Sequence, residues 1–442
     1  MPTLNIPAAV AAEAPFMAAT RRDLHQHPEL SFAEHRTAAA VARELRATPG
    51  VSLVAEGVGR TGVTAFILGG AGAGPCVLLR ADMDALPLPE TGDLPFKSTH
   101  AGVMHACGHD GHVAALLGAA RVLGARAAAL RGAVKLCFQP AEEGYGGARV
   151  MIADGVLEAT ACGRGPRVDA VYGAHLWTYM PLGLVGARAG AMMASSDKFE
   201  VCVLGRGGHG AAPQSTVDAV VVAAHVVTAL QTVVSRSVDP REGGKAGAGA
   251  GGRGRAQREG SPTSPSPLPR VPSSRAVEPA VVSCCTLKSG TGTGYNIIAD
   301  RVDVTGTARA FSLETQAVIE ARMGTICAGV GAAFGAEVGL KYTRGYPPTI
   351  NSHAAELETL RAAARGVVGL ENMRNDVQTC GAEDFSYFLM ARPGAFFFVG
   401  AALPGELRPH HRGDFDFDEE AMQVTAAIWV NLITDVLGGA ST

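Results

Sequence analysis

The chain is poor in aromatic and in charged residues, and its net charge is small. Among 442 residues, 5% are aromatic and 18% are charged, and the formal net charge is -3 at pH 7. No polybasic run or long apolar stretch stands out, so the sequence gives no sign of a nucleic-acid or membrane partner. We therefore expect a small-molecule partner, and the length allows two domains with cores of their own.

The sequence also lacks the features of a secreted protein. Its nine cysteines are odd in number and scattered through a long chain, which argues against a disulfide framework. The alanine-rich stretch 1–20 has no basic residue ahead of its apolar part, since Arg21 and Arg22 follow it. It predicts a helix leading into the fold, with organellar targeting as the alternative. A cytoplasmic protein with reduced thiols fits these observations.

What the chain does contain is a dense group of metal-ligand residue types. The stretch 104–112 carries the thiol of Cys107 and three imidazoles, among them that of His109. Because core histidines usually occur singly, this density indicates a divalent metal ion. An apolar helix is predicted over 111–130, with Asp110 as its cap, so that Cys107 lies at a helix N-terminus that favours a thiolate.

Further ligand types follow predicted strands. Strands are predicted at 63–68, 76–79, 134–138 and 168–173, and the first two are expected to pair with each other. Asp82 and Asp84 follow the second strand, Glu142 and Glu143 follow the third, and His175 follows the fourth. Strands that alternate with helices predict a mainly parallel sheet, whose sites lie outside the carboxyl ends of the strands. We therefore expect these side chains to meet at one rim of the sheet.

The adjacent carboxylates Glu142 and Glu143 have different predicted roles. Neighbouring side chains after a strand diverge, so one carboxylate can bind metal while the other moves a proton. With Cys107, His109, Glu143 and His175 as ligands, Glu142 would take a proton from water and give it to a leaving nitrogen. This is the chemistry of amide hydrolysis. The histidines at 25, 27 and 35 are expected to be solvated helix or turn residues.

The pattern changes after residue 190. Strands are predicted at 198–204, 280–287, 301–310 and 336–342, and helices at 217–234 and 313–334. This β-α-β-β-α-β order is the signature of a small split βαβ, ferredoxin-like domain. A strand at 395–399 then completes the first sheet, and a closing helix follows at 421–437.

We therefore predict an α/β catalytic domain, with a mainly parallel mixed sheet flanked by helices, in two parts, 1–190 and 346–442. The α+β domain 191–345 is inserted between them. The segment 241–278 is rich in Gly, Ser, Pro and Arg and poor in large apolar residues. It cannot bury enough surface to offset its ordering entropy, so a disordered low-complexity insertion is predicted.

Five motifs resemble one family. They are Arg22–Leu30, Arg80–Pro87, Met104–His112, Phe138–Gly144 and Gly381–Ser386. Together they resemble the amidohydrolase branch of the aminoacylase-type metallopeptidases, peptidase family M20, whose members include N-acyl-amino-acid amidohydrolases, hippurate hydrolases and auxin-conjugate hydrolases. The resemblance covers nearly the whole chain except 241–278. It implies two divalent metal ions per subunit, manganese or zinc, and an inserted lid domain used for homodimerisation.

The resemblance also implies roles for single residues. By position, the metal ligands are Cys107, His109, Glu143 and His175, and the general acid/base is Glu142. A last ligand is a histidine near the C-terminus: counting back from Phe415 selects His411, but the proline usual after it is missing, which leaves His410 as an alternative.

Three residues of the inserted domain complete the implied site. His209 resembles the donor of a hydrogen bond to the developing oxyanion, and Asn296 and Arg344 match positions near the substrate carboxylate. The family pattern is broken at Gln214 and Ala299, which leaves the substrate preference in doubt.

The function predicted is a metal-dependent amidohydrolase that cleaves N-acetyl, N-benzoyl or indole-acetyl amino acids. One alternative is a catalytically silent member of the family that binds acyl amino acids or a partner. Another is a dinucleotide-binding oxidoreductase, because 205–210 fits G-x-G-x-x-G. That pattern is not followed at once by a helix, nor by an acidic residue at a strand end about twenty positions on, and both are expected of a nucleotide site.

Overall fold

The computed structural model describes residues 4–159, 165–238, 279–290 and 294–438. The predicted disordered insertion, 241–278, lies outside the described residues. The chain divides into two compact units. Unit 1 comprises Met1–Met192, Thr349–Gln378 and Glu383–Thr442, and unit 2 comprises Met193–Pro348 with Thr379–Ala382.

The described strands, in chain order, are β1 (Val51–Val58), β2 (Gly62–Leu68), β3 (Cys76–Asp82), β4 (Ala133–Gln139), β5 (Ala170–Pro181), β6 (Val185–Gly186), β7 (Gly190–Met193), β8 (Ser196–Leu204), β9 (Gly208–His209), β10 (Val281–Ser289), β11 (Ile297–Ile298), β12 (Arg301–Arg309), β13 (Glu337–Tyr346), β14 (Thr349–Asn351), β15 (Met373–Arg374) and β16 (Gly394–Ala402). The described α-helices are α1 (Ala8–Ala11), α2 (Ala14–Gln26), α3 (His35–Ala47), α4 (His109–Gly124), α5 (Glu142–Tyr145), α6 (Gly147–Ala153), α7 (Ala219–Leu230), α8 (Thr232–Ser237), α9 (Leu313–Phe334), α10 (Ala354–Val368), α11 (Ser386–Ala391) and α12 (Glu420–Leu437).

Unit 1 is built on a mixed sheet with the strand order β1-β2-β4-β3-β5-β16-β6-β15. Its central strands β4, β3, β5 and β16 run parallel, and β1 and β2 pair antiparallel with their neighbours. Strand β6 pairs antiparallel with β16 and parallel with β15. The prediction of a mainly parallel mixed sheet flanked by helices is therefore confirmed. Parallel strands bring their carboxyl ends to one rim, which is where the candidate site lies.

Two details of the sheet differ from the prediction. The strands at 63–68 and 76–79 do not form a pair, because β4 lies between them and hydrogen-bonds to both. The strand predicted to stop at Gly173 continues to Pro181, so His175 lies inside β5 rather than after it. The extension has a tertiary cause, since β16 pairs with β5 along this whole length.

The core of unit 1 lies between the sheet and the helices α2, α4 and α12. Helix α4 is buried along nearly its whole length, which explains its apolar, small-residue composition. A Cβ on Gly118 would lie 2.6 Å from the sulfur of Met17 in α2, so glycine permits this close approach. In α12, the buried ring of Trp429 meets Phe397 of β16 edge to face at 5.0 Å.

Unit 2 contains a four-stranded antiparallel sheet in the order β10-β12-β8-β13. Helices α7 and α9 pack on it through Val226, Ile319 and Met323, which share one core with Val201 and Val203 of β8. Helix α9 is long and apolar enough to cross a membrane by length and composition, which the sequence analysis did not anticipate. Its buried side faces this core, as in a helix of a globular domain.

Replacing Trp429 with alanine should lower the free energy of unfolding of unit 1 by about 3–5 kcal/mol, because it leaves a cavity in a close-packed core. Urea unfolding followed by circular dichroism would measure the loss. As a control, Leu370→Ala removes a side chain that is 71% exposed and should change the unfolding free energy by less than about 0.5 kcal/mol. Equal effects of the two substitutions would contradict this description of the core.

Candidate active site

Helix α4 begins directly at the candidate ligands. His109 is its first residue, and Gly108, with φ of +89°, is its cap. The predicted capping role of Asp110 is therefore wrong. Asp110 lies in the first turn, where its buried carboxylate accepts hydrogen bonds from Arg21 at 3.2 Å and from His25 at 2.9 Å. The turn is left-handed at position 108, which favours glycine there.

The structure brings the predicted metal ligands of unit 1 together. The Sγ atom of Cys107 lies 3.4 Å from Nε2 of His175. Ligand atoms lie within 4.8 Å of one another in three sets: Cys107, His175 and His410; Cys107, Glu143 and His411; and His109, Glu142 and Glu143. Cys107 belongs to two of these sets and thus stands at the centre of the cluster.

The environment of His109 fits a metal ligand. Its Nδ1 lies 2.9 Å from the carbonyl oxygen of Asp84, so Nδ1 donates and the lone pair of the neutral ring is on Nε2. That Nε2 atom is buried and makes no hydrogen bond to any residue that the structure describes, and it lies 3.5 Å from the Asp82 carboxylate. Positive charge at Nε2, from a proton or from a bound metal ion, is favoured beside that carboxylate. A thiol, imidazoles and a carboxylate around one point are a suitable donor set for divalent metal ions.

A further set, Asp82, His109 and His112, also has ligand atoms within 4.8 Å. However, both ring nitrogens of His112 are already engaged. Nδ1 donates to the Asp82 carboxylate at 2.5 Å, and Nε2 accepts the backbone N–H of Leu176 at 2.9 Å. His112 therefore supports the site by fixing β5, and its ring packs against that of His175 with a centroid separation of 4.6 Å.

The two neighbouring histidines near the C-terminus occupy different surroundings. The His410 ring stacks on Trp177 at 4.8 Å, and its Nε2 accepts the N–H of Thr178 at 3.2 Å. His411 has a φ of +61°, and its Nε2 lies 3.3 Å from the Glu143 carboxylate. Hydrogen bonds to Cys107 and Glu143 raise the pKa of His411 to about 11. Cys107 and Glu143 together therefore favour a positive charge beside them.

The Glu142–Glu143 turn is held through its backbone. The Asp84 carboxylate accepts the N–H of Glu142 at 2.9 Å and that of Glu143 at 3.0 Å. The Glu142 side chain is nearly buried, and its carboxylate lies close to those of Glu383 and Asp384. Burial, reinforced by the negative charge of Glu383, raises the pKa of Glu142 well above its usual range.

Arg80 is a site residue whose role the sequence analysis missed. Its fully buried guanidinium bonds to Asp82 at 2.7 Å, to Glu383 at 2.9 Å and to Asp384 at 3.0 Å, and Nε donates to Gln139 at 2.9 Å. Burial alone would raise the pKa of Asp82, but Arg80 outweighs it and holds that pKa well below its usual range. Arg80 and Glu383 both lie in motifs of the family resemblance, and a charged residue inside an apolar strand is the sequence signal for the role of Arg80.

His25 is also misjudged by the sequence analysis. It is fully buried rather than solvated, because it lies on the face of α2 that carries Arg21 toward the core. Its Nδ1 bonds to Asp110 and its Nε2 lies 3.4 Å from Glu90. Burial would lower the pKa of His25, but these two carboxylates outweigh it and raise the pKa to about 9.

In unit 2, two of the three predicted residues adjoin. His209 lies on β9, which pairs with β11, and the N–H of Gly210 donates to the carbonyl oxygen of Asn296 at 2.7 Å. Arg344 lies on β13, where it forms an ion pair with Glu320 at 2.7 Å. Within the residues that the structure describes, Arg344 forms no hydrogen bond or ion pair with His209 or Asn296.

A mixed α/β sheet with candidate soft and hard metal ligands at its carboxyl rim, beside a buried carboxyl group of raised pKa, is the arrangement expected of a metal-dependent amidohydrolase. The sequence model of peptidase family M20/M25/M40 matches residues 78–435. The chain belongs to this family.

Named relatives and a solved structure agree with the assignment. The chain is 34% identical to the N-acetylcysteine deacetylase of Bacillus subtilis over 417 residues, which cover 94% of this chain and 96% of the relative. It is 32% identical to the IAA-amino acid hydrolase ILR1-like 4 of Arabidopsis thaliana over 428 residues, covering 96% and 86%. It is also similar to the crystal structure of Bacillus subtilis YXEP, described as a dinuclear metal binding peptidase from the M20 family. The TM-score is 0.75 at 31% identity, with coverage of 96% of this chain and 98% of that chain.

The pKa of His25 predicts a loss of stability at alkaline pH. Because the folded-state pKa of about 9 exceeds the unfolded value of 6.5, the protonated ring stabilises the fold fully below pH 6.5, and this contribution is lost as the pH rises through 9. It amounts to about 3 kcal/mol at 1.36 kcal/mol per pKa unit. In urea unfolding between pH 6 and 9.5, His25→Gln should abolish most of this decline, whereas His27→Gln, at a partly exposed position, should retain it. An unchanged decline in His25→Gln would disprove the assignment.

Proposed function

We propose that the chain hydrolyses the amide bond of N-acyl amino acids and releases a carboxylic acid and the amino acid. The observation that carries this proposal is the placement of Glu142, whose buried carboxyl group adjoins the ligand cluster at His109 and Glu143. The relatives named for N-acetylcysteine and for IAA-amino acids support the substrate class, since both names denote an acyl group joined to an amino acid.

We assign the metal ligands as Cys107, His109, Glu143, His175 and His411. Cys107 could serve as a ligand with either neighbouring group, because it belongs to two of the ligand sets. His411 is preferred to His410, because its Nε2 lies 3.3 Å from the carboxylate of the ligand Glu143, whereas Nε2 of His410 accepts a backbone N–H, that of Thr178. Two divalent ions held there, zinc or manganese by the donor types, would polarise a carbonyl oxygen and lower the pKa of a water molecule.

Glu142 acts as the general acid/base in this proposal. It takes one proton from the attacking water and delivers it to the amide nitrogen as the carbon–nitrogen bond breaks, so that the amine leaves neutral. Its raised pKa suits a group that must hold this proton between the two transfers. The hydrogen bonds from the Glu142 and Glu143 amides to Asp84 keep the acid/base and the ligand at fixed positions.

In unit 2, His209 is proposed as the donor to the developing oxyanion. Its Nδ1 accepts the N–H of Ala211 at 3.0 Å, so in the neutral ring the hydrogen is on Nε2. Such a donor stabilises negative charge as it forms on the substrate oxygen. Asn296 and Arg344 are proposed to contact the substrate carboxylate, unit 2 is proposed to serve as lid and homodimerisation domain, and a cytoplasmic location completes the proposal.

The proposal predicts product from a panel of N-acetyl, N-benzoyl and indole-acetyl amino acids when zinc or manganese is added to the metal-stripped protein. Liquid chromatography would detect the released amino acid. If the metals and the substrates bind but no member of the panel releases its amino acid, hydrolysis is refuted and a binding protein is favoured.

The adjacent glutamates offer a matched pair of variants. Glu142→Gln should keep the metal content of the parent and lose at least about 100-fold in kcat, because the amide cannot move a proton. Glu143→Gln should lose metal as well as activity, which elemental analysis after dialysis would reveal. Full activity in Glu142→Gln would refute the role given to that residue.

A further inference from the structure

The residue before Glu142 has an unusual backbone conformation. Ala141 has φ of +55° and ψ of +46°, in the left-handed region that alanine rarely adopts, and it is fully buried. Phe32, far away in the sequence, also has a positive φ, of +60°. Such conformations persist only where surrounding contacts impose them.

One carboxylate oxygen binds both of these residues. Oε1 of Glu34 accepts the N–H of Ala141 at 2.9 Å and the N–H of Phe32 at 2.9 Å. The other oxygen, Oε2, bonds to the hydroxyl of Thr61. Both oxygens of Glu34 are thus engaged, and its side chain is fully buried just before α3.

Glu34 and Asp84 together hold three consecutive amides. The N–H of Ala141 donates to Glu34, and the next two, of Glu142 and Glu143, donate to Asp84. A residue in the left-handed conformation turns the chain sharply. A hydrogen bond that holds its backbone N–H in place therefore also sets the direction of the side chain of the following residue. For Glu142, that amide is the one bound by Glu34.

We propose that Glu34 is a positioning residue, which holds Ala141 in the left-handed conformation and thereby aims the Glu142 carboxyl group at the reacting bond. This inference rests on the function proposed above for Glu142. Without Glu34, the N–H of Ala141 would lose its acceptor, and the residue could relax to negative φ. The Glu142 carboxyl group would then be displaced. Glu143, whose amide stays bound to Asp84, and the ligands Cys107, His109 and His175 would remain in place.

Kinetics of two Glu34 variants test the proposal. Glu34→Ala should lower kcat by about 10–100-fold with KM within about threefold of the parent and with unchanged metal content, because misplacing a catalytic group costs rate rather than binding. Glu34→Gln should rescue kcat to within about threefold of the parent, since its amide oxygen can accept the same two N–H groups. Loss of metal, or a rise in KM without a fall in kcat, would overturn the positioning role.

A matched control lies five residues earlier. The Glu29 carboxylate accepts the backbone N–H of Arg36 at 3.0 Å and that of Thr37 at 2.8 Å, which is the same type of bond but serves the start of α3. Glu29→Ala should lower the melting temperature and leave kcat within about threefold of the parent. A fall in kcat equal to that of Glu34→Ala would mean that any loosening of this segment lowers activity, and the proposal would fail.

Hydrogen exchange provides a readout independent of activity. In Glu34→Ala, the amides of residues 141–143 should exchange at least about tenfold faster than in the parent and in Glu29→Ala, whereas Glu29→Ala should accelerate only the amides at 36 and 37. Unchanged exchange at 141–143 would overturn the proposal even if the enzyme hydrolysed no member of the panel. An active parent with an inactive Glu142→Gln, combined with unchanged exchange and kcat in Glu34→Ala, would refute the role of Glu34 alone.

Discussion

The buried guanidinium of Arg80 is the group on which the site in unit 1 depends. It lies in the central strand β3 and joins Asp82, Glu383 and Asp384, so it ties a segment late in the chain to the sheet. Breaking such a buried pair from one side is costly, typically about 3–5 kcal/mol, because the remaining charge is left uncompensated. Removal of Arg80 would leave three carboxylates buried together under the ligand cluster.

The same arrangement separates the proton affinities of neighbouring carboxyl groups. Asp82 lies against Arg80 and accepts a hydrogen bond from His112, so its pKa is held low and it remains a fixed acceptor. Glu142 faces Glu383 and Asp384 instead, and burial together with their charge raises its pKa. Carboxyl groups with pKa values pushed apart in this way can divide the roles of anchor and proton carrier.

The sequence predicts those parts of the site whose geometry follows from the order of strands and helices. It does not predict the parts that depend on a single hydrogen bond between residues far apart in the chain. Parallel strands bring their carboxyl ends together, so the approach of Glu143 and His175 to the thiol of Cys107 at one rim could be inferred from strand order together with the predicted start of the helix after Cys107. The inward position of His25 could not, because it depends on a carboxylate at Asp110 that approaches from another helix. The contact of Glu34 with the amide of Ala141 leaves no periodic trace, since any carboxylate at any sequence distance can serve a backbone N–H.

The different roles of Glu142 and Glu143 follow from an irregular turn. The chain is left-handed at Ala141, at Gly144 with φ of +93° and at Gly146 with φ of +70°, so this short turn follows no regular helix. Close packing fixes its far end, where a Cβ on Gly147 would lie 1.7 Å from the carbonyl oxygen of Pro140. An irregular turn forms few hydrogen bonds of its own, and side-chain carboxylates supply the missing acceptors for its amides. Acceptors fixed by distant strands and helices can therefore hold adjacent glutamates in two different environments, one beside His411 and the other beside Glu383.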